Sequence, residues 1–393
     1  MPELVNHAPF PNFRYYAGDN RGGEFGVVIV KATYAIGPDG RLAVAEEQAP
    51  LLFTDACHGA VNVSSVWHPS DLVPYKPRTD ILVNAVARPP GGMPAAAWLA
   101  GVRVSRGGVA VVEKRVRVTG PRRWEPDWAR VLSEEERAEW QRHRSAFRGW
   151  RLSAPEPVAA VPLRYELAFG GTPPAGTDAE GRPVFADDPY NPIGCGWLHP
   201  EGSDHTQAHP APQILGADEV LDEPYTLRQP HTLGPIPCAW EPRLPLAGTY
   251  DQRWLDEIWP DWPPDYDFAY HNAAHPDLIC PGHLVGDEHI QLAGLTGDAR
   301  PVHLDLPGEA LAVAFAEPGG AVEVRPMVLD TVLLDVAAPL WADARVFLSW
   351  RVRFEPDRYA TATILRRPGT GVPDAGPDAA SITDQGQARG RAA

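Results

Sequence analysis

From residue 172 to residue 285 the chain shows almost no apolar periodicity, and Pro, Gly, Asp, His and Trp dominate it. No helix or strand can run far through such a segment. An interior Pro costs a helix roughly 3 kcal/mol and takes a donor away from a strand ladder. An unstructured stretch of this length is also unusual inside a compact domain. Its aromatics, among them Trp197, Trp240, Trp254, Trp259, Trp262, Tyr266 and Tyr270, mark it as chain that packs. The expectation is an ordered irregular insertion with one short helix near residues 252–258. Across all 393 residues there are 44 Pro and 36 Gly, which argues against a helical bundle or solenoid. A hydrophobic content of 44% argues equally against disorder throughout.

Strand patterns flank this insertion on both sides. Glu24 to Ile36 is a β-branched and aromatic run that reads as a buried strand. Pro38-Asp39-Gly40 turns it into a second strand over Arg41 to Glu46. Further strands are expected over Asp80–Ala87, over Trp98–Ser105 and Val109–Val118 as a hairpin, and over Val161–Phe169. Beyond the insertion they return over Glu288–Ala293, Val302–Leu306, Leu311–Phe315, Val322–Leu334 and Arg345–Phe354. One helix is predicted over 133–148, with Ser133 and Glu136 as a capping box. The fold class is therefore mainly β: an antiparallel sandwich or paired sheets carrying one helix and the irregular insertion. One domain over 1–355, in one or two lobes, is expected before a tail over 356–393, disordered from about 368.

The net charge of −16 disfavours a general nucleic-acid or anionic-membrane binder. The charge is polarised. Arg115 to Arg151 holds ten Arg against six acids, whereas Asp251 to His289 holds nine acids and one Arg. Lys31, Lys76 and Lys114 are the only lysines among 35 basic residues. The four cysteines include no C-x-x-C pair and do not suit a disulfide scaffold. The first residues lack a basic stretch followed by an apolar one, so the expected location is the cytosol. Phosphate-loop, zinc-protease and nucleophile-elbow motifs are missing, and no cofactor is expected.

Three constellations could carry chemistry. His205 and His209, and again His271 and His275, have the H-x-x-x-H spacing that can grip one zinc from a helix. Pro210 and Pro276 follow directly, so hydrogen-bonded histidines in loops are the plainer reading. Asp251, Asp256, Glu257, Asp261, Asp265 and Asp267 lie among Trp254, Trp259 and Trp262. Paired acids beside aromatic platforms serve glycosidases, but the same composition makes a protein-binding surface. Ser65, His68, Asp71, Lys76, Arg78 and Asp80 fall within one Pro-rich window, where capping and ion pairing are the plain alternative to catalysis.

Several strings carry a resemblance. They include KATYAI at 31–36, SSVWHPSDLVPYKPRTDILV at 64–83, PLRYELAFGG at 162–171, NPIGCGW at 191–197 and AGTYDQRWLDEIWPDWPPDYD at 247–267. NAAHPDL at 272–278, LDTVLLD at 329–335 and LSWRV at 348–352 continue it. Together they resemble a bacterial family of unknown biochemical function (domain of unknown function twenty-one sixty-nine), whose members sit beside type VI secretion genes. The most specific string is D-L-x-P-x-K-x-x-T-D at Asp71–Asp80.

The resemblance implies a non-enzymatic adaptor or chaperone. It would bind an effector, often one bearing a PAAR-type tip, and promote loading on a VgrG-type spike. Trp254, Trp259, Trp262 and Tyr266 are the expected aromatic anchors, with Asp256, Asp261 and Asp265 steering a basic partner. Asp71, Lys76, Arg78 and Asp80 are the second candidate surface. A carbohydrate-active hydrolase using acids in 251–267, and a structural component secreted with the spike, are the alternatives.

Overall fold

The structure is a computed structural model and describes residues 1–18, 21–128, 133–135, 138, 147 and 149–367. The helix expected over 133–148 lies for the most part outside the described residues, as does the tail from 368.

The described chain is mainly β. Its largest sheet has seven strands and interleaves both ends of the sequence. The order is Val161–Pro162, Asp80–Ala87, Val328–Val336, Arg345–Phe354, Glu24–Ile36 and Asn12–Gly18, with Leu42–Val44 also pairing on Glu24–Ile36. Asp80–Ala87 and Val328–Val336 run parallel with Thr331 opposite Asp80; Arg345–Phe354 is antiparallel to both of its neighbours. Glu24–Ile36 is buried without interruption from Gly26 to Tyr34. Cover on both faces explains why its sequence is a continuous apolar run and not an alternating one.

A second sheet is wholly antiparallel, in the order Ile214–Gly216, Val109–Thr119, Ala97–Arg106, His289–Ala293, Val302–Asp305. Its hairpin turns at Gly107 and Gly108, whose φ of +57° and +83° suit a primed turn that glycine adopts without strain. A third sheet joins Glu3–Asn6, Thr361–Arg367, Ala310–Ala316 and Val322–Pro326. Side chains from all three, including Val30, Ile81, Trp350, Val104, Ile290, Val313 and Ile364, meet in one hydrophobic core. A smaller aromatic cluster of Trp124, Phe147, Trp150, Phe169 and Trp197 involves two strands of a three-stranded sheet, Arg122–Pro126 and Trp150–Leu152.

Two expected strands are corrected. Val161–Phe169 is not continuous: Val161–Pro162 pairs with Asp80–Ala87, then the chain winds into a 3-10 turn at Tyr165–Leu167. The Ser65 amide donates to the Glu166 carboxylate at 2.9 Å, and the Ser65 hydroxyl accepts from the Tyr165 amide at 2.8 Å, which pins that turn. Val322–Leu334 divides after Pro326, and its halves enter different sheets. Pro326 ends the first half because it offers no ladder donor.

The stretch 172–285 is ordered but irregular, as expected. It contains the small ladder Pro174–Thr177 with Pro183–Phe185, several 3-10 turns, and one short helix, Gln252–Glu257, capped by the Asp251 carboxylate on the Trp254 amide at 2.8 Å. Among the described residues no helix is long and apolar enough to cross a membrane.

Candidate functional site

All three lysines are buried, each against a carboxylate. Two of them hold the Asp71–Asp80 string against the seven-stranded sheet. Lys31 Nζ lies 2.8 Å from Asp71 Oδ2, and Lys76 Nζ lies 2.7 Å from Asp80 Oδ2 while also donating to Thr331 Oγ1 at 2.9 Å. Arg351 completes the centre. Its Nη1 donates to both oxygens of Asp330, and its Nη2 donates to the Asp71 carbonyl at 2.8 Å. Asp80 is further satisfied by the Asn272 side-chain amide and the Ala273 backbone amide, both at 2.8 Å. Three cations and three carboxylates thus neutralise one another in the interior. Ions desolvated this fully persist only when paired and hydrogen-bonded.

Asp71, Lys76 and Asp80 are therefore not a surface: they tie a Pro-rich loop and the 272–273 turn to a parallel strand pair. Within the candidate set from this string only Arg78 is exposed. The fixed Pro and Lys offsets were a readable signal, whereas Asp330 and Arg351 lie far away in sequence and gave none.

The segment Thr249–Asp267 forms a folded projection. The Trp254 indole donates to the Asp261 carbonyl at 2.9 Å, and Trp254 meets the Tyr250 ring at 4.7 Å. Tyr266 is buried, its ring 4.4 Å from that of Trp262, and its hydroxyl shares a hydrogen bond with His271 Nε2. Burial pushes the Tyr266 hydroxyl well above the ordinary tyrosine range and pulls His271 down to about 3. Of the four expected anchors Trp259 is the exposed one, at 63% of its surface; Trp254 and Trp262 are half-buried. Leu244, Tyr250 and Leu255 are exposed near it in sequence. Among the acids, Asp256, Asp261 and Asp265 are all exposed. Asp265 also accepts from the Thr249 amide at 3.0 Å and from its hydroxyl at 2.7 Å, closing the loop. Those bonds hold its carboxyl below the usual range.

The histidines pair differently from the expected spacing. His271 and His275 do not converge, because the 3-10 turn Phe268–His271 ends and the chain is extended at Asn272. His275 faces His231 and Asp277 instead, and Lys114 Nζ stands between them. It lies 3.1 Å from His231 Nδ1, 2.9 Å from His275 Nδ1 and 3.0 Å from Asp277 Oδ2. Burial draws the Lys114 ammonium below its ordinary range, and burial followed by the Lys114 charge drives His275 down to about 3. Burial would raise Asp277, but the lysine holds it low. Lys114, His231 and Asp277 line a cleft of about 550 Å3. In the other pair, His205 stacks on Trp150, and His209 Nε2 lies 2.6 Å from the Asp204 carbonyl. The scarcity of lysine pointed to Lys114; nothing in the spacing pointed to His231.

No curated protein and no solved structure matches the chain. A family match covers most of it, over residues 21–351, a span that holds the buried ion centre, the Trp259 projection and the Lys114 cage. The chain belongs to the family described as an uncharacterized protein conserved in bacteria (DUF2169).

Proposed function

We propose that this protein is a cytosolic, non-enzymatic adaptor or chaperone. It holds an effector of a bacterial type VI secretion system, of the kind that carries a PAAR-type tip, and promotes its stability and loading on a VgrG-type spike. The observation that carries the reading is the projection around Gln252–Glu257. It presents Tyr250, Leu255 and Trp259 to solvent amid exposed Asp256, Glu257 and Asp261. Large apolar side chains held on a rigid support and rimmed by like charges suit a partner surface that is apolar at its centre and basic at its edge. Resemblance of the strings at 64–83 and 247–267 supports the secretion assignment.

The test is co-purification from the native cell, scored for a spike-tip or toxin protein, with wild-type chain and Trp259→Ala. Trp259 is exposed enough that its truncation leaves the core intact. A central anchor is worth about 2 kcal/mol, so Kd should rise about thirtyfold. Unaltered affinity in Trp259→Ala combined with Leu255→Ala would remove this face from the reading.

A further inference from the structure

The Lys114 cage has the make-up of a metal site. A tetrahedral zinc with bonds of about 2.0–2.2 Å needs donors roughly 3.3–3.6 Å apart. His275 Nδ1 and Asp277 Oδ2 are 3.4 Å apart, and ligand atoms of His231, His275 and Asp277 all lie within 4.8 Å of one another; the Asp277 amide donates to that Nδ1 at 3.2 Å, a bond that a metal there would replace. They come from separate places. His275 and Asp277 flank Pro276 at the start of a 3-10 turn, and His231 arrives from the loop beyond Ile214–Gly216. Lys114 reaches the same point from the strand Val109–Thr119.

A carboxylate stands behind one of the donors. The far nitrogen of His231, Nε2, faces Glu219 Oε2 at 3.8 Å, and Glu219 is itself fixed by the Gly216 amide at 3.0 Å. At 3.8 Å the His231 contact is electrostatic and not a hydrogen bond, and it favours the proton on Nε2, which leaves Nδ1 to face the cage. The adjoining cleft adds Glu113 and Asp218 against Arg115, leaving a surplus of negative charge around the donors. The three donors leave the cleft side open, as three-ligand zinc sites do.

We propose that His231, His275 and Asp277 bind a divalent transition-metal ion of the zinc class at the position of the Lys114 ammonium, with Lys114 withdrawing into the cleft. Lysine and metal are then competing occupants of one cage. Two imidazoles and one carboxylate suit zinc and cobalt better than calcium or magnesium, which favour all-oxygen sites.

Chelator-treated full-length protein titrated with Co2+, read by its visible absorption, and with Zn2+ against a chromophoric chelator, tests the site. The expected result is one ion per chain, with affinity at least tenfold weaker in His231→Ala and in His275→Ala. Lys114→Met, which removes the competitor, should bind at least tenfold more tightly. His231 is partly exposed, so His231→Ala decides the matter if His275→Ala fails to fold, with near-ultraviolet circular dichroism as the check. Absence of binding by the wild-type chain overturns the proposal, even if Lys114→Met binds, because the cage would then belong to lysine alone. Binding that His231→Ala leaves unchanged overturns it too and points to the surface pair His289 and His303, whose ring nitrogens approach to 2.9 Å.

Discussion

At the scale of single residues, the chain spends all its lysines in its interior. A buried ammonium is tolerated only where a carboxylate and further acceptors replace water, and Lys76 has both in Asp80 and Thr331. Lys76→Met should therefore cost about 3–5 kcal/mol, because it leaves the Asp80 charge buried without its cation. Lys76→Arg should not restore stability. The cavity beside Lys31, Asp71 and Lys76 measures about 10 Å3, too little for a guanidinium. Urea unfolding followed by fluorescence reads both, and a midpoint unchanged in Lys76→Met would show that Asp80 does not depend on Lys76. This centre was half legible in the sequence. Lys76 and Asp80 stand four apart in a string whose prolines fix its shape, while Arg351 and Asp330 reach it only through sheet register. The cage around Lys114 was less legible still. H-x-x-x-H is a helical signature, and applied to a loop it paired His275 with the wrong partner.

At the scale of elements, the strands that could be read carried either a continuous apolar run, buried on both faces, or a clear alternation, as in His289–Ala293 and Ala310–Ala316. Asp80–Ala87 and Arg345–Phe354 fall where their apolar runs placed them. Glu3–Asn6, Asn12–Gly18 and Thr361–Arg367 escaped notice because they are partly exposed, with polar residues interleaved. Periodicity cannot separate such strands from loop; pairing decides them. Gly26 illustrates a constraint that pairing creates. It sits opposite Phe354 in the sheet, and a Cβ there would lie 2.0 Å from the buried Phe354 ring. The ring is itself wedged among Phe315, Tyr16 and Tyr359. Gly26→Ala should overpack this joint between two sheets and cost about 1–3 kcal/mol, visible as a lowered urea midpoint. Gly91→Ala is the control. Its φ is positive, at +86°, unlike that of Gly26, and nothing lies within 4 Å of the added carbon, so only backbone strain of about 1 kcal/mol is expected there. An unchanged midpoint in Gly26→Ala would mean that Phe354 yields freely.

At the scale of the whole molecule, the topology makes the irregular middle a passenger on a frame closed by both ends. Val328–Val336 and Arg345–Phe354 lie between Asp80–Ala87 and Glu24–Ile36, and Glu3–Asn6 pairs with Thr361–Arg367. The turn that carries His275 and Asp277 rests on Val109–Thr119 and Asp80–Ala87, which precede it, and Asp80–Ala87 is in turn paired with Val328–Val336, which follows. Strand sequences on both sides of the insertion suggested this arrangement, but strand order itself cannot be read from sequence, because pairing between distant segments leaves no local mark. A chain ending at Arg300 tests the dependence. It keeps the whole insertion but loses both central strands, and with them Arg351 and Asp330. The edges of Glu24–Ile36 and Asp80–Ala87 are then bare and apolar, which invites aggregation. The expected outcome is loss of near-ultraviolet circular dichroism, strong binding of a hydrophobic dye and no cooperative urea transition. If the shortened chain kept a native-like aromatic signal and unfolded cooperatively, the first 300 residues would fold as an independent unit. The partner-binding projection would then stand apart from the seven-stranded sheet and could be studied without it.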